Sequence, residues 1–196
     1  MAFNLEIVRK VRWLQMGRLL LLGILPMAGN AGAMDGPIAQ EFQIKAVFLY
    51  NFAQFVEWPP DALETPESPL IIGVLGLDPF GDFLEETVRG ETVNGRRLVV
   101  ERYRWVSEID HCHVLFVSGS EGNRVDQIVS ALQGRPILTV CDWEGLAQRG
   151  AIIRFVMQRN RVRLRINLDS AKAAGLTISS KLLRSAEMVT ASRSAP

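Results

Sequence analysis

The sequence predicts a single three-layer α/β domain, in which helices cover both faces of a mainly parallel sheet of about six strands. Strand and helix patterns alternate along the chain, and several strands are continuous apolar runs, as in parallel strands buried on both faces. The chain has 196 residues, of which 48% are hydrophobic. This is enough for one buried core and too little for two ordinary domains.

The first 33 residues have the parts of a secretory signal peptide. A basic region that includes Arg9 and Arg18 comes first, the apolar run 19–29 follows, and Ala31-Gly32-Ala33 places small residues before the cut. An uncleaved membrane anchor is the alternative, but the run contains Pro26 and is shorter than the roughly 20 apolar residues that span a bilayer. We therefore expect cleavage near Ala33, which leaves a mature domain of residues 34–196.

Removal of this leader changes the charge of the protein. The whole chain has a formal net charge of +1, and the leader holds four basic residues and Glu6, so that losing its +3 leaves about −2. A mildly acidic domain lacks the basic surface that nucleic-acid binding requires, and we predict no nucleic-acid partner. The balanced charge and the ordinary apolar fraction also exclude an intrinsically disordered chain.

The longest predicted helix runs from Pro37 to Trp58. Apolar side chains recur at helical spacing along it, and Pro59-Pro60 ends it because proline cannot continue a helix. The segment holds more aromatic side chains than one apolar stripe requires: Phe42, Phe48, Tyr50, Phe52, Phe55 and Trp58. The surplus is either core, in a helix buried all round, or a partner surface, and both alternatives stay open.

The first half of the predicted sheet follows this helix and a linker rich in Pro, Glu and Ser. Residues 70–76 are a continuous apolar strand, and residues 97–103 alternate polar and apolar side chains as a less buried strand does. Between them, Asp78-Pro79 begins a helix with a cap followed by proline, and this helix ends near Gly90.

The second half contains two buried strands, a helix and a hairpin. Residues 114–117 and 137–140 are short apolar strands, and the helix 124–132 between them has its apolar residues on one face. Residues 151–156 and 162–166 flank a polar turn at 158–161, which predicts an antiparallel hairpin at one edge of the sheet. A final helix is predicted from about Ser179 to Met188.

Neither the cysteines nor the histidines form a convincing site. Cys112 precedes one predicted strand and Cys141 ends the next, so parallel strands place the two thiols at opposite ends of the sheet. We predict no disulfide between them and expect unpaired or intermolecular thiols. His111 and His113 flank Cys112, but successive strand residues point to opposite faces, and no further ligands complete a shell, so we predict no metal site.

Loops at the carboxyl ends of the predicted strands are the candidates for ligand binding. Residues 76–81 lack the lysine of a P-loop and the third glycine of a dinucleotide motif, which favours a simple turn capped by Asp78. Ser118 and Ser120 either bind an anion at a helix N-terminus or cap that helix. With Asp142, these are the candidate ligand-binding residues. No nucleophile with a base and no cofactor loop emerges, so we predict neither enzymatic activity nor a cofactor.

Several motifs, in the same order, resemble the YfiR-like family of periplasmic proteins. They are Ala-Val-Phe-Leu-Tyr-Asn-Phe-Ala-Gln-Phe-Val-Glu-Trp-Pro at 46–59, Gly-Leu-Asp-Pro-Phe-Gly at 76–81, Ile-Leu-Thr-Val at 137–140 with Asp142, Ile-Asn-Leu-Asp at 166–169, Gly175-Leu176, and Ile-Ser-Ser-Lys-Leu-Leu at 178–183. The resemblance spans about residues 41–188. Because Cys141 stands where many members carry Ser, disulfides of relatives are not transferred to this chain.

The resemblance implies a periplasmic, non-enzymatic, dimeric repressor that holds an inner-membrane diguanylate cyclase inactive and so controls cyclic-di-GMP. It also implies an OmpA-like outer-membrane lipoprotein that sequesters the repressor. For such a protein the aromatic residues are the candidate partner or dimer contacts, namely Phe48, Tyr50, Phe55, Trp58 and Trp143.

Two other classes of function remain open at this point. A periplasmic small-molecule sensor acting on another membrane signalling protein would use the loops at Asp78, Ser118 and Asp142. An enzyme is the third possibility, since Asp78 and Asp142 could share a crevice.

Overall fold

The apolar runs of the sequence form the central strands of a mixed sheet. The computed structural model describes residues 36–63, 65 and 67–189. The strands in this part of the chain are β1 (Val56–Glu57), β2 (Leu70–Leu75), β3 (Thr92–Val93), β4 (Arg96–Tyr103), β5 (Val114–Val117), β6 (Leu138–Cys141), β7 (Ile153–Gln158), β8 (Arg161–Asn167), β9 (Thr177–Ile178) and β10 (Ala186–Val189). The α-helices are α1 (Pro37–Phe55), α2 (Asp82–Val88), α3 (Val125–Leu132), α4 (Glu144–Gln148), α5 (Leu168–Ala173) and α6 (Ser180–Leu183).

Eight of these strands form one sheet in the order β10-β8-β7-β6-β5-β2-β4-β3. The strands from β4 through β2, β5 and β6 to β7 are mutually parallel, whereas β7 and β8 form an antiparallel hairpin. Leu75 pairs with both Tyr103 and Val117, so β2, β4 and β5 end at the same level. We call the loops that follow β2, β4, β5 and β6 the carboxyl end of the sheet.

Two apolar clusters, one on each face of the sheet, confirm the predicted three-layer α/β domain. Along β5, Phe116 lies in the cluster beneath α1, and Leu115 lies in the opposite cluster beneath α3 and α4. This alternation follows from the period of two in a strand, and it explains why β5 is a continuous apolar run.

The predicted boundaries are wrong at three helices. The first helix ends at Phe55 instead of Trp58, because Val56 and Glu57 pair with β9. The second begins at Asp82 instead of Asp78, which instead caps a turn through the Phe80 amide. The last is only the single turn of α6, where the Ser179 side chain accepts the amide of Leu182, and the chain then continues as β10.

The sheet is also wider than predicted. The strands β3 and β10 lie at its two edges, and they have only two and four residues. The sequence pattern predicts the β7–β8 hairpin at the edge of the sheet. In the structure β10 runs parallel to β8 on its outer side, so β10 is the edge strand instead. The antiparallel pairing of the hairpin itself is confirmed.

The predicted signal peptide, residues 1–33, lies outside the described residues. Within the described ranges, none of the helices has the length and apolar character needed to cross a bilayer.

Candidate functional site

The crevice between the ends of β2 and β5 is filled by the protein's own side chains. After β2 the backbone turns at Gly76 with a φ of +90°. Ser120, after β5, accepts a hydrogen bond from the Leu77 amide at 3.0 Å. Beside it Glu121 is only 2% exposed, and one of its carboxylate oxygens lies 2.7 Å from Arg124 Nη2. In an open α/β sheet this crevice is the usual ligand site, and here it is closed.

The two serines support this closed loop. Ser118 Oγ accepts the Ser120 amide at 3.4 Å and caps the short 3₁₀ turn Gly119–Arg124. An anion placed here would meet the buried carboxylate of Glu121, which repels negative charge. Of the two roles left open for Ser118 and Ser120, the geometry therefore favours the cap.

The close packing at Gly76 gives a first prediction. A Cβ at this position would lie 2.5 Å from both Ser120 Oγ and Glu121 Oε1. We expect Gly76→Ala to lower the free energy of unfolding by about 1–3 kcal/mol more than Gly90→Ala, because of this crowding. Gly90 is the matched control, since its φ is also positive but a Cβ there would meet no atom within 4 Å. Equal losses in urea titrations would contradict the crowding.

Asp78 is held in a cluster with Arg102 and Glu85. Its carboxylate accepts the Phe80 amide at 2.8 Å and lies 2.7 Å from Arg102 Nε. Arg102 also forms an ion pair with Glu85 and donates to the Gly81 carbonyl at 3.1 Å. The hydrogen bond from Arg102 lowers the pKa of Glu85. Asp78 thus fixes the loop between β2 and α2, and each of its carboxylate oxygens already accepts a hydrogen bond.

Asp142 pairs with a buried lysine that no sequence motif singles out. Lys45 on α1 is 2% exposed, and its Nζ lies 2.6 Å from Asp142 Oδ2 and 2.6 Å from Glu41 Oε1. The same ammonium lies 4.4 Å from the centre of the Phe42 ring. These contacts attach the N-terminal half of α1 to the loop after β6. The structure therefore joins Asp142 to α1 instead of to Asp78.

Phe48 and Tyr50, two of the candidate contacts, are buried. Phe48 is 7% exposed and packs on the rings of Phe52 and Phe155. The Tyr50 hydroxyl donates to Glu91 at 2.8 Å and accepts a hydrogen bond from Gln54. In this fold both side chains serve the core beneath α1.

Phe55, Trp58 and Trp143 are partly exposed. The Lys181 ammonium lies 4.8 Å from the centre of the Phe55 ring. The indole of Trp58 donates to the His113 carbonyl at 3.2 Å, and that of Trp143 donates to the Val117 carbonyl at 3.2 Å. The two tryptophans are thus anchored by their nitrogens, and Trp143 lies at the carboxyl end of the sheet.

Further apolar side chains are exposed at this same end. Leu77 follows β2 and is 76% exposed, and Trp105 follows β4 and is 49% exposed. Phe83, at the start of α2, is also exposed, and the Arg124 guanidinium lies 4.3 Å from the Trp105 ring centre. We call Leu77, Phe83, Trp105 and Trp143 the carboxyl-end patch. No feature of the sequence distinguished the first three from core residues.

The histidine at 113 has a structural role. Its Nδ1 accepts the Ile71 amide at 3.0 Å, and its Nε2 lies 3.1 Å from the Ala62 carbonyl, so the ring connects two backbone segments. Across the described ranges, no group of three or more His, Cys, Asp or Glu side chains is placed to hold a metal ion.

Cys112 and Cys141 are buried free thiols, and this gives a second prediction. Burial raises the pKa of both thiols to about 12, from an ordinary value of 9.0. Unfolded thiols therefore ionise at a lower pH than native ones, so they leave stability unchanged below pH 9 and reduce it as the pH rises toward 12. We expect no reaction of the native protein with a thiol reagent at pH 8 and rapid reaction of both thiols in denaturant. Fast native modification would contradict the burial.

The solved structures that match this chain are distant from it in both sequence and structure. The ABC domain from Streptococcus pneumonia, solved in complex with L-Trp, has a TM-score of 0.48 and 13% identity, over 78% of this chain and 60% of that one. A conserved domain protein from Vibrio cholerae O1 biovar eltor has a TM-score of 0.48 and 14% identity over the same shares. This chain thus spans less than two thirds of either structure, and neither likeness bears on its function. No curated protein matches the chain.

Fold and site together define an α/β domain in which side chains of the protein itself fill the crevice between the loops at the carboxyl end of the sheet. The chain belongs to the YfiR/HmsC-like family, because the sequence model of that family matches residues 42–187. This match confirms the resemblance inferred from the motifs. This is a family of periplasmic, non-enzymatic regulators of cyclic-di-GMP signalling.

Proposed function

We propose that this protein binds the periplasmic domain of a membrane-anchored diguanylate cyclase and holds the cyclase inactive. The family match carries the proposal, because residues 42–187 include the domain from α1 into β10. Such a repressor requires no chemistry of its own. It requires a higher affinity for the inactive state of the cyclase than for the active state, and this difference shifts the equilibrium across the membrane.

The packing at the carboxyl end supports a protein partner over a small ligand. Ser120 and Glu121 fill the crevice beside Gly76, and Asp78 and Asp142 are held by Arg102 and Lys45. Among the described residues, a cavity of about 310 Å³ lies near the beginnings of β6 and β7, and none of the loop residues predicted to bind a ligand lines this cavity. The sensor alternative is therefore the weaker one.

The carboxyl-end patch is the surface we propose for the cyclase. Tryptophan and other aromatic residues are enriched at protein interfaces, and large exposed apolar side chains gathered at one end of a domain are typical of them. A homodimer and an OmpA-like lipoprotein that removes the repressor from the cyclase complete the proposal.

The experiment is co-purification of the cyclase from crosslinked membranes. We expect the double variant Leu77→Glu, Trp105→Glu to recover at least about tenfold less cyclase than the wild type, because charge replaces exposed apolar contacts. Cyclic-di-GMP in the cells should rise accordingly. Met188→Glu is the control for a glutamate at an exposed apolar position outside the patch, since Met188 is exposed on β10 at the far edge of the sheet.

The outcomes separate the surface from the function. Undiminished recovery with the double variant, at wild-type thermal stability, would exclude the carboxyl-end patch. Absence of the cyclase from the wild-type eluate, together with unchanged cyclic-di-GMP on deletion of the protein, would exclude repression itself.

A further inference from the structure

The β7–β8 hairpin presents arginines on one of its two faces. Cross-strand pairing places Arg154 opposite Arg165, Val156 opposite Arg163, and Gln158 opposite Arg161. Because strand residues alternate in direction, these side chains share one face of the sheet. The other face carries Phe155 and Leu164, which are buried in the cluster beneath α1. We call Arg154, Arg161, Arg163 and Arg165 the arginine face.

Among the described residues, a helix reaches the arginine face only at Arg154, which pairs with Glu144 at the start of α4. The apolar cluster on that side of the sheet includes residues of β2, β4, β5 and β6 and of the helices α3 and α4, and it contains no residue of β7, β8 or β10. Arg161 and Arg163 are exposed. The sheet is therefore covered on both sides in its centre and on one side only at the hairpin.

The arginine face has an excess of positive charge. Arg154 pairs with Glu144, and Arg165 Nε lies 3.1 Å from Glu187 Oε2 on β10. For the part of the chain that is described, neither Arg161 nor Arg163 has an ion pair, and the Nε of Arg154 is buried without a hydrogen-bond partner. On a protein whose total charge is close to zero, this local excess is a feature that a partner can recognise.

We propose that the arginine face binds an acidic segment of a partner protein, with carboxylates at alternate positions of an extended strand. Alternate residues of a strand are about 6.6 Å apart, so such a segment can place successive carboxylates at Arg161 and Arg163, the two exposed arginines of this face that have no ion pair among the described residues. The planar guanidinium fork matches a carboxylate better than an ammonium does. Within the sheet, Glu187 of β10 pairs in this way with Arg165 of β8, so one guanidinium of this face already binds a carboxylate.

The same face fits an anionic membrane and a second copy less well. Met157 and Val162, the apolar side chains near the hairpin turn, lie on the face opposite to the arginines, so a membrane touching the arginine face would gain little apolar insertion. In a symmetric pairing of two copies through this face, arginines would face arginines. The proposal goes beyond cyclase repression and does not depend on the identity of the cyclase.

The test measures binding of a labelled peptide to the purified protein by fluorescence anisotropy. The probe alternates glutamate with threonine, and a second peptide of the same composition has its glutamates in one block. We expect Arg161→Glu, Arg163→Glu to weaken binding of the alternating peptide at least about tenfold. Arg89→Glu, Arg97→Glu is the matched control, because it makes the same change in net charge at exposed arginines elsewhere.

Three results would overturn the proposal. They are an equal loss in the control variant, binding of the block peptide as tight as that of the alternating one, and no binding of the alternating peptide by the wild type. Tighter binding to phosphatidylglycerol vesicles than to the peptide would assign the face to a membrane instead. The cyclase is absent from this assay. Failure of the arginine-face proposal is therefore distinguishable from failure of the proposed repression.

Discussion

The double substitution Glu41→Ala, Asp142→Ala is expected to lower the free energy of unfolding by about 3–5 kcal/mol, because it leaves the ammonium of Lys45 buried without a counter-charge. Both carboxylates lie 2.6 Å from Lys45 Nζ, and the lysine side chain is almost wholly enclosed. Urea titration at pH 7, followed by tryptophan fluorescence, measures the loss.

The control removes the other partner. Lys45→Met keeps the length of the side chain and its packing on Phe42, and the two carboxylates that remain are about one fifth exposed and can be hydrated. We therefore expect a loss of less than about 1.5 kcal/mol for Lys45→Met. A double variant no less stable than Lys45→Met would show that burial of the lysine does not determine the stability of this region.

The sheet was predictable wherever hydrophobic burial determines the local sequence. The strands β2 and β5 are buried throughout and β6 is buried except at Thr139, so each is a largely apolar run that the sequence reveals directly. The edge strands β3 and β10 are short and half exposed, and their pairing depends on neighbours that are distant in sequence. No local pattern distinguishes Ala186–Val189 from the end of a helix.

The site was less predictable because its contacts join residues far apart in the chain. The Glu41–Lys45 spacing of four residues indicates a helical ion pair, but Asp142 lies 97 residues from Lys45. The burial of Glu121, which follows β5, depends in the same way on Gly76, which follows β2. A sequence pattern identified Asp78, Ser118 and Asp142 as polar residues at strand ends, and only the fold shows that each is already engaged.

Phe48→Ala is expected to destabilise the domain by about 3–5 kcal/mol, since it removes a buried ring and leaves a cavity. The ring lies 6.1 Å from the centre of Phe52 and 5.9 Å from that of Phe155, so its loss weakens the contact between α1 and β7. Phe55→Ala is the control on the same helix. Because Phe55 is partly exposed, we expect Phe55→Ala to lower the free energy of unfolding by less than about 2 kcal/mol in the same urea titration.

This comparison distinguishes the two interpretations of the aromatic helix. If Phe48 serves the core, its substitution reduces recovery of the cyclase only as far as it reduces the folded fraction, and recovery returns at a temperature where the variant is folded. If Phe48 is instead a direct contact, a fully folded Phe48→Ala protein fails to recover the cyclase. The first outcome is expected, because the side chain lies against Phe52 and Phe155 and is nearly inaccessible to a partner in this fold.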